Sequence, residues 1–525
     1  MRRQQGASGG NVAPRFAPIA LGKAKRPGSW LLALPAVIWA VAVGARLILI
    51  DQPFVDHWSW RQSDVAAIAR NFFASGFHFA SPQIDWAGDS PGYVGTEFPI
   101  LPFAAAICYK LTGVHEWIGR SQAIVFFALS LPFFFLLARE TFGNAAAVWA
   151  TFFFSFAPLN VFAGRSFMPD VPSLSLAIVG LYLFLRWRLD ERATWLCLAA
   201  VAISVSFLIK ITSIVVAAPL LYLAAAPGND VVGRDVGAAK DRGRRRRLQL
   251  ALFALIALLP SALWYWHAWQ ISRKFYPHHF FGAGGVRIET LSWYWEIAQK
   301  TATLSLTPVL TGLAAIGFLV ARRGKYGGLF DAWLVAMVLF VGVVGYGNRH
   351  VWYQLPLVPV VAAFAGAGCA FIGSKMSSRV ARVGLSLGLA GVFLVVSFSM
   401  VRLFYEATAA PLYAAGLELN RITAPSDLII AADGGNPAIF YYAQRKGWHF
   451  LEINGIYNGN PRDSREAIDD LEKLRRRGGT HLVFTRNTFW WLVSYPELTQ
   501  HLSESAKLIA ATPDFIIYRL NPMPR

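Results

Sequence analysis

The chain has 525 residues, 55% of them hydrophobic, and a mean hydropathy of +0.43. That composition excludes a soluble protein with a large core and indicates a polytopic membrane protein. The formal net charge is +19, but much of it lies in short loops between apolar runs, where it orients the chain in a membrane, so nucleic acid is excluded as a partner.

Residues 1–28 form a basic tail with Arg2, Arg3, Arg15, Lys23, Lys25 and Arg26. They read as cytoplasmic, and the apolar run 29–50 that follows reads as an uncleaved first span. Residues 51–116 form a long first outer loop. The second span, 117–138, returns to Arg139. The third, 144–162, leads out to Arg165-Ser-Phe-Met-Pro-Asp170. The fourth, 171–187, comes back to Arg186, Arg188 and Arg192.

The run 193–226 is too long for one crossing of about 20 residues. Lys210 divides it into spans five and six, with the lysine at the outer turn. The basic loop 240–247 is inside. Span seven, 248–269, opens an outer loop, and span eight, 303–321, returns to Arg322, Arg323 and Lys325. Span nine, 329–346, leads to Arg349 and His350 outside. Span ten, 351–373, returns to Lys375, Arg379 and Arg382, and span eleven, 383–405, goes out again. Residues 97–112 contain two prolines and a lysine and read as a segment at the outer surface.

Residues 406–525 change character. Strands at 428–432, 480–484 and 515–520 alternate with helices near 437–445, 464–477 and 489–497. This is the pattern of a small α/β domain, and an odd number of spans places it outside. Three cysteines, Cys108, Cys197 and Cys369, sit in apolar stretches and read as buried small residues. The fold class is thus a polytopic α-helical membrane protein of about eleven spans, residues 29–405, with a C-terminal periplasmic α/β domain.

With basic loops inside, a second set of charges gathers outside: Asp56, His57, Asp64, Glu97, Arg165, Asp170, Arg349 and His350. Val65, Ile68, Ala69, Phe72 and Phe73 mark one apolar helix face. That helix is expected to lie on the membrane surface, with Arg61, Gln62 and Asp64 on its polar side and Arg61 and Asp64 spaced to pair. Asp56 is either a solvated loop carboxylate or a catalytic one. Asp170 and Arg165 equally suit the start of a helix. Lys210 in an apolar run requires water or a partner. His350 opens the tenth span beside Tyr353 and Gln354.

Taken together, carboxylates, cations and a histidine on one membrane face suit transfer chemistry. Cations hold a phosphate, and a carboxylate takes a proton from an acceptor hydroxyl. No phosphate-binding glycine loop for a nucleotide occurs, which leaves a lipid phosphate as the natural donor.

In Ala66-Ala-Ile-Ala-Arg70-Asn-Phe, Thr96-Glu97-Phe-Pro99-Ile-Leu, Glu116-Trp-Ile-Gly-Arg120, Arg165-Ser-Phe-Met-Pro-Asp170 and Leu208-Ile-Lys210, the chain resembles the GT-C glycosyltransferases. The similarity is to the protein O-mannosyltransferase and lipid A aminoarabinose transferase type, and it covers most of residues 29–405. The resemblance implies inverting transfer of a sugar from a polyprenyl-phosphate donor to a glycan, lipid or protein acceptor at the outer face. It carries the catalytic base onto Asp56 and a second acidic residue onto Asp170. His57 stands where the family has Glu. Anchoring on Ile68-Ala69-Arg70 instead puts the family Asp on Arg61 and leaves Asp64 as the nearest carboxylate.

Glu97-Phe98-Pro99 lacks the family's preceding Lys or His. Donor contacts therefore fall to Arg61, Arg120, Arg165 and Lys210, with His57, Glu97, His350 and Tyr353 also at the substrate. The family's use of a divalent metal ion varies. The expected location is a bacterial inner membrane, with the N-terminus cytoplasmic. The rival readings are a membrane transporter of an envelope precursor and a non-catalytic envelope-assembly scaffold.

Overall fold

A computed structural model describes residues 30–226, 236–281, 286–321, 324 and 326–522. The basic tail 1–28 and the basic residues Arg322, Arg323 and Lys325 lie outside the described residues.

The first apolar run forms α1 (Trp30–Arg46). Residues 51–116 then fold into α2 (Ser59–Ser75) and α3 (Ile100–Thr112) before the next long helix begins. The bundle continues with α4 (Glu116–Phe142), α5 (Asn144–Phe156), the short α6 (Pro158–Ala163) and α7 (Asp170–Asp190). Next come α8 (Ala193–Ile209), α9 (Ala217–Ala225) and the long α10 (Val236–Lys274). Lys210 sits at the break between α8 and a 3-10 turn, Ile211–Val216, as the sequence suggests. The basic run 240–247 is not a loop but the opening turns of α10. The stretch after α10 carries α11 (Leu291–Lys300), bent by 106° from α12 (Pro308–Val320). The helices α13 (Leu329–Val343), α14 (Val358–Ser374) and α15 (Arg379–Phe404) complete the bundle.

Five described helices are long and apolar enough to cross a membrane, and the bent pair makes a sixth. The chain is a multi-pass membrane protein. Small residues let the helices approach closely. A Cβ on Gly317 would stand 1.8 Å from the carbonyl oxygen of Phe364, and one on Gly366 would stand 2.4 Å from that of Ala146. These contacts lock α12, α14 and α5 together. Apolar side chains of α10 and α15, such as Leu263, Leu387 and Phe398, are exposed, as lipid-facing residues should be. Cys108 and Cys197 are exposed too, contrary to the sequence reading, and Cys369 alone of the three is buried. An apolar stretch on the rim of a bundle faces lipid, not core.

After α15 the chain forms α16 (Ala410–Ile422), β1 (Leu428–Ala432), α17 (Ala438–Ala443) and β2 (Gly447–His449). A hairpin follows, β3 (Glu452–Ile453) with β4 (Ile456–Tyr457). Then come α18 (Ser464–Arg476), β5 (Gly479–Thr485), α19 (Trp490–Ser494), α20 (Pro496–Ser505), β6 (Ala506–Ala511) and β7 (Phe515–Leu520). The five-stranded sheet has the order β2-β1-β5-β7-β6. Strands β2, β1 and β5 are parallel, and β7 pairs antiparallel with both β5 and β6. Asp463 caps α18 by accepting the Glu466 amide, and the amphipathic helix packs Ala467, Leu471 and Leu474 inward.

This sheet region is docked on the segment between α1 and α4. The Tyr442 hydroxyl donates to Glu116 at 3.0 Å and accepts from the Phe54 amide at 2.6 Å. The Gly88 amide donates to the Gly447 carbonyl at 2.7 Å, and the Gly447 amide donates to the Asp85 carbonyl at 3.0 Å. Helix α17 packs on α2. Its cover explains why α2 departs from expectation. The helix does not lie on a surface with a solvated polar side, because Arg61, Gln62 and Asp64 are all buried.

Candidate active site

Helix α2 distributes its polar residues to two separate clusters. The first surrounds Asp56, just before the helix. Asp56 Oδ1 accepts from the Trp58 amide at 3.1 Å and from Gln62 Nε2 at 2.7 Å. Its Oδ2 lies 3.4 Å from Arg120 Nη2. Arg120 also donates to the carbonyls of Ile50 (2.9 Å) and Gln52, and Arg165 donates to the Leu49 carbonyl at 2.5 Å. Gln62 Oε1 accepts the Phe167 amide at 3.2 Å.

These arginines sit where the chain leaves α1, and they satisfy backbone carbonyls that have no partner in a helix. Asp56, Arg120 and Arg165 are at most 1% exposed, and Arg120 Nε and Arg165 Nε and Nη1 are buried with no hydrogen-bond partner among the described residues. Burial pushes the Asp56 carboxyl up, against the opposing charges of Arg120 and Arg165. His57, the next residue, is exposed and packs edge-on against Phe404.

The second cluster lines a cavity of about 210 Å³. Arg61, Glu97, Lys210, His350 and Tyr353 all face it, together with Arg349 and His279. Arg61 Nη2 donates to Glu97 Oε1 at 2.6 Å, not to Asp64. Glu97 Oε2 accepts from the Thr96 hydroxyl at 3.0 Å. Burial would raise the Glu97 carboxyl, but Arg61 and then Lys210 hold it down to about 2. Lys210 Nζ lies 2.9 Å from Asp170 Oδ1 and 5.0 Å from the centre of the Tyr353 ring. This is the partner that an intramembrane lysine requires. The other oxygen of Asp170 is buried with no hydrogen-bond partner among the described residues.

Aromatic rings complete the cavity walls. His350 stacks on Trp352 at 4.6 Å, and Trp60 lies 5.6 Å from His350. Arg61 sits over Phe281 at 4.9 Å and Arg349 over Tyr346 at 3.7 Å. Burial keeps the imidazoles of His279 and His350 low, at about 4, so both are neutral at pH 7.

Asp64 stands one turn beyond Arg61 along α2. Its Oδ1 accepts from Trp86 Nε1 at 2.9 Å. Burial pushes it up to about 6, against that hydrogen bond and the Arg61 charge. Of the residues expected to act on substrate, the cavity therefore gathers Arg61, Glu97, Lys210, His350 and Tyr353, with Asp170 and Asp64 immediately behind. Asp56, Arg120 and Arg165 form the other cluster, and His57 joins neither. His279, Phe281 and Trp352 were not singled out from the sequence. The aromatic run Phe275-Tyr-Pro-His-His-Phe-Phe281 was the available signal for two of them. Among the described residues, no three His, Cys, Asp or Glu side chains gather as a metal-binding group.

Residues 95–266 match a family model described as dolichyl-phosphate-mannose-protein mannosyltransferase. No curated protein sequence matches the chain. Among solved structures, ArnT from Cupriavidus metallidurans bound to undecaprenyl phosphate is similar, with a TM-score of 0.61 at 15% identity. The match covers 93% of this chain and 97% of that one. The Archaeoglobus fulgidus oligosaccharyltransferase in its apo form matches with a TM-score of 0.60 at 14% identity, over 94% and 75% of the two chains. Arabinofuranosyltransferase AftD from Mycobacteria matches with a TM-score of 0.54 at 13% identity, over 93% and 41%.

Proposed function

We propose that this chain, which has the GT-C glycosyltransferase fold, transfers a sugar from a polyprenyl-phosphate donor to an envelope glycan, lipid or protein at the outer face of a bacterial inner membrane. The observation that carries the reading is the cavity itself. Two buried cations, Arg61 and Lys210, and one carboxylate, Glu97, converge inside walls of aromatic rings, with Arg349 at the exposed rim. Cations suit a phosphate, and ring faces suit the apolar side of a sugar.

In this reading Lys210, braced by Asp170, and Arg61 hold the donor phosphate. The acceptor hydroxyl approaches Glu97, and its proton passes to that carboxylate. The acceptor oxygen bonds to the anomeric carbon from the face opposite the phosphate. The bond from that carbon to the phosphate oxygen breaks, and its electron pair leaves on the polyprenyl phosphate. The developing negative charge meets Lys210 and Arg61, which are already in place. Inversion follows from attack opposite the leaving group.

Arg61 serves two partners in this scheme. When the phosphate draws it away, Glu97 loses part of the charge that holds it low and becomes a stronger base. Geometry favours Glu97 over Asp56 as the base, since a base must reach the proton it removes. The proposal includes eleven spans, a cytoplasmic N-terminus and a periplasmic C-terminal region from residue 406. The apolar helices from α1 to α15 and the basic residues at their alternate ends support that arrangement.

The test is purified protein in detergent with a panel of polyprenyl-phosphate sugars and a membrane-extract acceptor. Release of free polyprenyl phosphate from one donor, followed by mass spectrometry, is expected. Intact protein that turns over none of them contradicts the reading.

A further inference from the structure

After α10 the chain runs Phe275-Tyr-Pro-His-His-Phe-Phe281, and His279, Phe280 and Phe281 form one wall of the cavity. The Phe281 ring lies 4.9 Å from the Arg61 guanidinium, and the His279 ring meets Phe281 edge-on at 4.4 Å. Backbone bonds tie this wall to the chain just before Glu97. The Gly95 amide donates to the His279 carbonyl at 3.1 Å, and the Phe281 amide donates to the Gly95 carbonyl at 2.8 Å.

The residues just ahead of the wall are held by the C-terminal region. The Tyr276 ring packs on the core cluster that includes Trp448, Phe450 and Leu451. Arg477, directly after α18, stands 4.5 Å from the centre of the Tyr276 ring and 5.1 Å from that of Trp448. Its Nη2 donates to Asp89 at 2.6 Å. Gly455 turns the β3–β4 hairpin with φ +84°, and a Cβ there would fall 2.4 Å from Pro277 Cβ and 2.7 Å from the Pro277 carbonyl oxygen. Glycine allows both that backbone angle and that approach. Pro277 is buried under the hairpin.

We propose that Tyr276 is a positioning residue, through which the C-terminal region holds the aromatic wall at its place beside Arg61 and so sets the fit of the donor sugar. Only Pro277 and His278 separate Tyr276 from the wall, and proline fixes its own φ. A displaced Tyr276 therefore passes its movement to His279 and on to Phe281. The role in transfer rests on the donor reading above, whereas the placement of the wall does not. A C-terminal region that merely stabilised the fold would make a different prediction. Loss of Tyr276 would then lower stability and leave the wall of each folded molecule where it is.

The test uses the full-length protein in detergent, with 4-fluorophenylalanine at position 281, and reads the fluorine resonance. Tyr276→Ala should shift and broaden it. Arg477→Met, which loosens the same ring without emptying the core, should shift it less and in the same direction. Tyr276→Phe should keep the wild-type signal, since the ring makes these contacts. Leu498→Ala, which opens the same core at α20, should leave the signal unmoved. A resonance unmoved in both Tyr276→Ala and Arg477→Met, or moved equally by Leu498→Ala, overturns the inference. Where the wild type turns over a donor, Tyr276→Ala and Phe281→Ala should each raise the donor KM up to about tenfold. The double variant should raise it no further, because both act through one wall, and effects that multiply overturn the inference. A wild type that turns over no donor defeats the transferase reading and leaves the fluorine test to decide the wall.

Discussion

Arg61 and Gln62 are adjacent in sequence and take part in opposite kinds of charge cluster. Gln62 faces Asp56, Arg120 and Arg165, where every carboxylate oxygen has a protein donor and the arginines hold backbone carbonyls. Arg61 faces Glu97, Lys210 and Arg349, where the ions stand around open space. Both clusters are buried, and both mix cations with carboxylates. The difference is that the first pairs both oxygens of its carboxylate with the chain's own donors, while the second lines an open cavity. Burial and perturbed ionisation alone do not mark a catalytic site, since ion pairs that hold a fold perturb ionisation as well.

The comparison can be broken most directly at Lys210. Lys210→Met alone leaves Asp170 buried and unpaired, which costs about 3–5 kcal/mol of stability. Combining it with Asp170→Asn removes that penalty. The double variant should melt near the wild type yet transfer sugar about 10²–10³-fold more slowly, as loss of a preorganised donor does. Thermal melting and steady-state turnover check the two halves.

Arg120→Met probes the Asp56 cluster. It strands Asp56 and releases the carbonyls after α1, so stability should fall by about 3–5 kcal/mol. Turnover per folded molecule should stay at the wild-type level. A folded Arg120→Met protein without turnover would merge the two clusters into one site.

Arg349 supplies the smallest expected effect. It lies exposed at the cavity rim, stacked on Tyr346. Arg349→Ala should raise the donor KM by up to about fivefold at low salt, and the difference should fade at high salt, as expected of an exposed charge. Titrating KM against ionic strength tests this.

Much of the bundle was legible because apolar runs and basic ends are local signals. Lys210 was readable as an anomaly, and its partner lay on the second outer site, Asp170, also readable. That Glu97 lines the cavity and Asp56 does not was not. Asp56 has the better local appearance, next to a span and among aromatic residues. What removes it from the cavity is distant in sequence: Arg120 at the start of α4 and Arg165 beyond α6. Helix α2 misled for a related reason. Its periodicity shows one apolar face, but α17 and α3 cover the remainder, and no local pattern announces a cover that arrives from residues 438–443. The edge strand β6 was missed because Ala506-Lys-Leu-Ile-Ala-Ala511 pairs along one side only and buries little. The seat of Tyr276 against Trp448 and Arg477 was not legible either, because those residues meet only when the sheet region docks.

The most direct test of the account sets Glu97→Gln beside Asp56→Asn, each nearly isosteric with the wild type, in the same donor-consumption assay. Glu97→Gln should melt earlier, since it strands Arg61, by about 1–3 kcal/mol of stability, and lose about 10²–10⁴-fold in kcat, the range for a missing general base. Asp56→Asn should melt earlier, by about 1–3 kcal/mol of stability, and keep its kcat. The reverse pattern, with Asp56→Asn inactive and Glu97→Gln active, would place the chemistry in the Asp56 cluster and contradict the account.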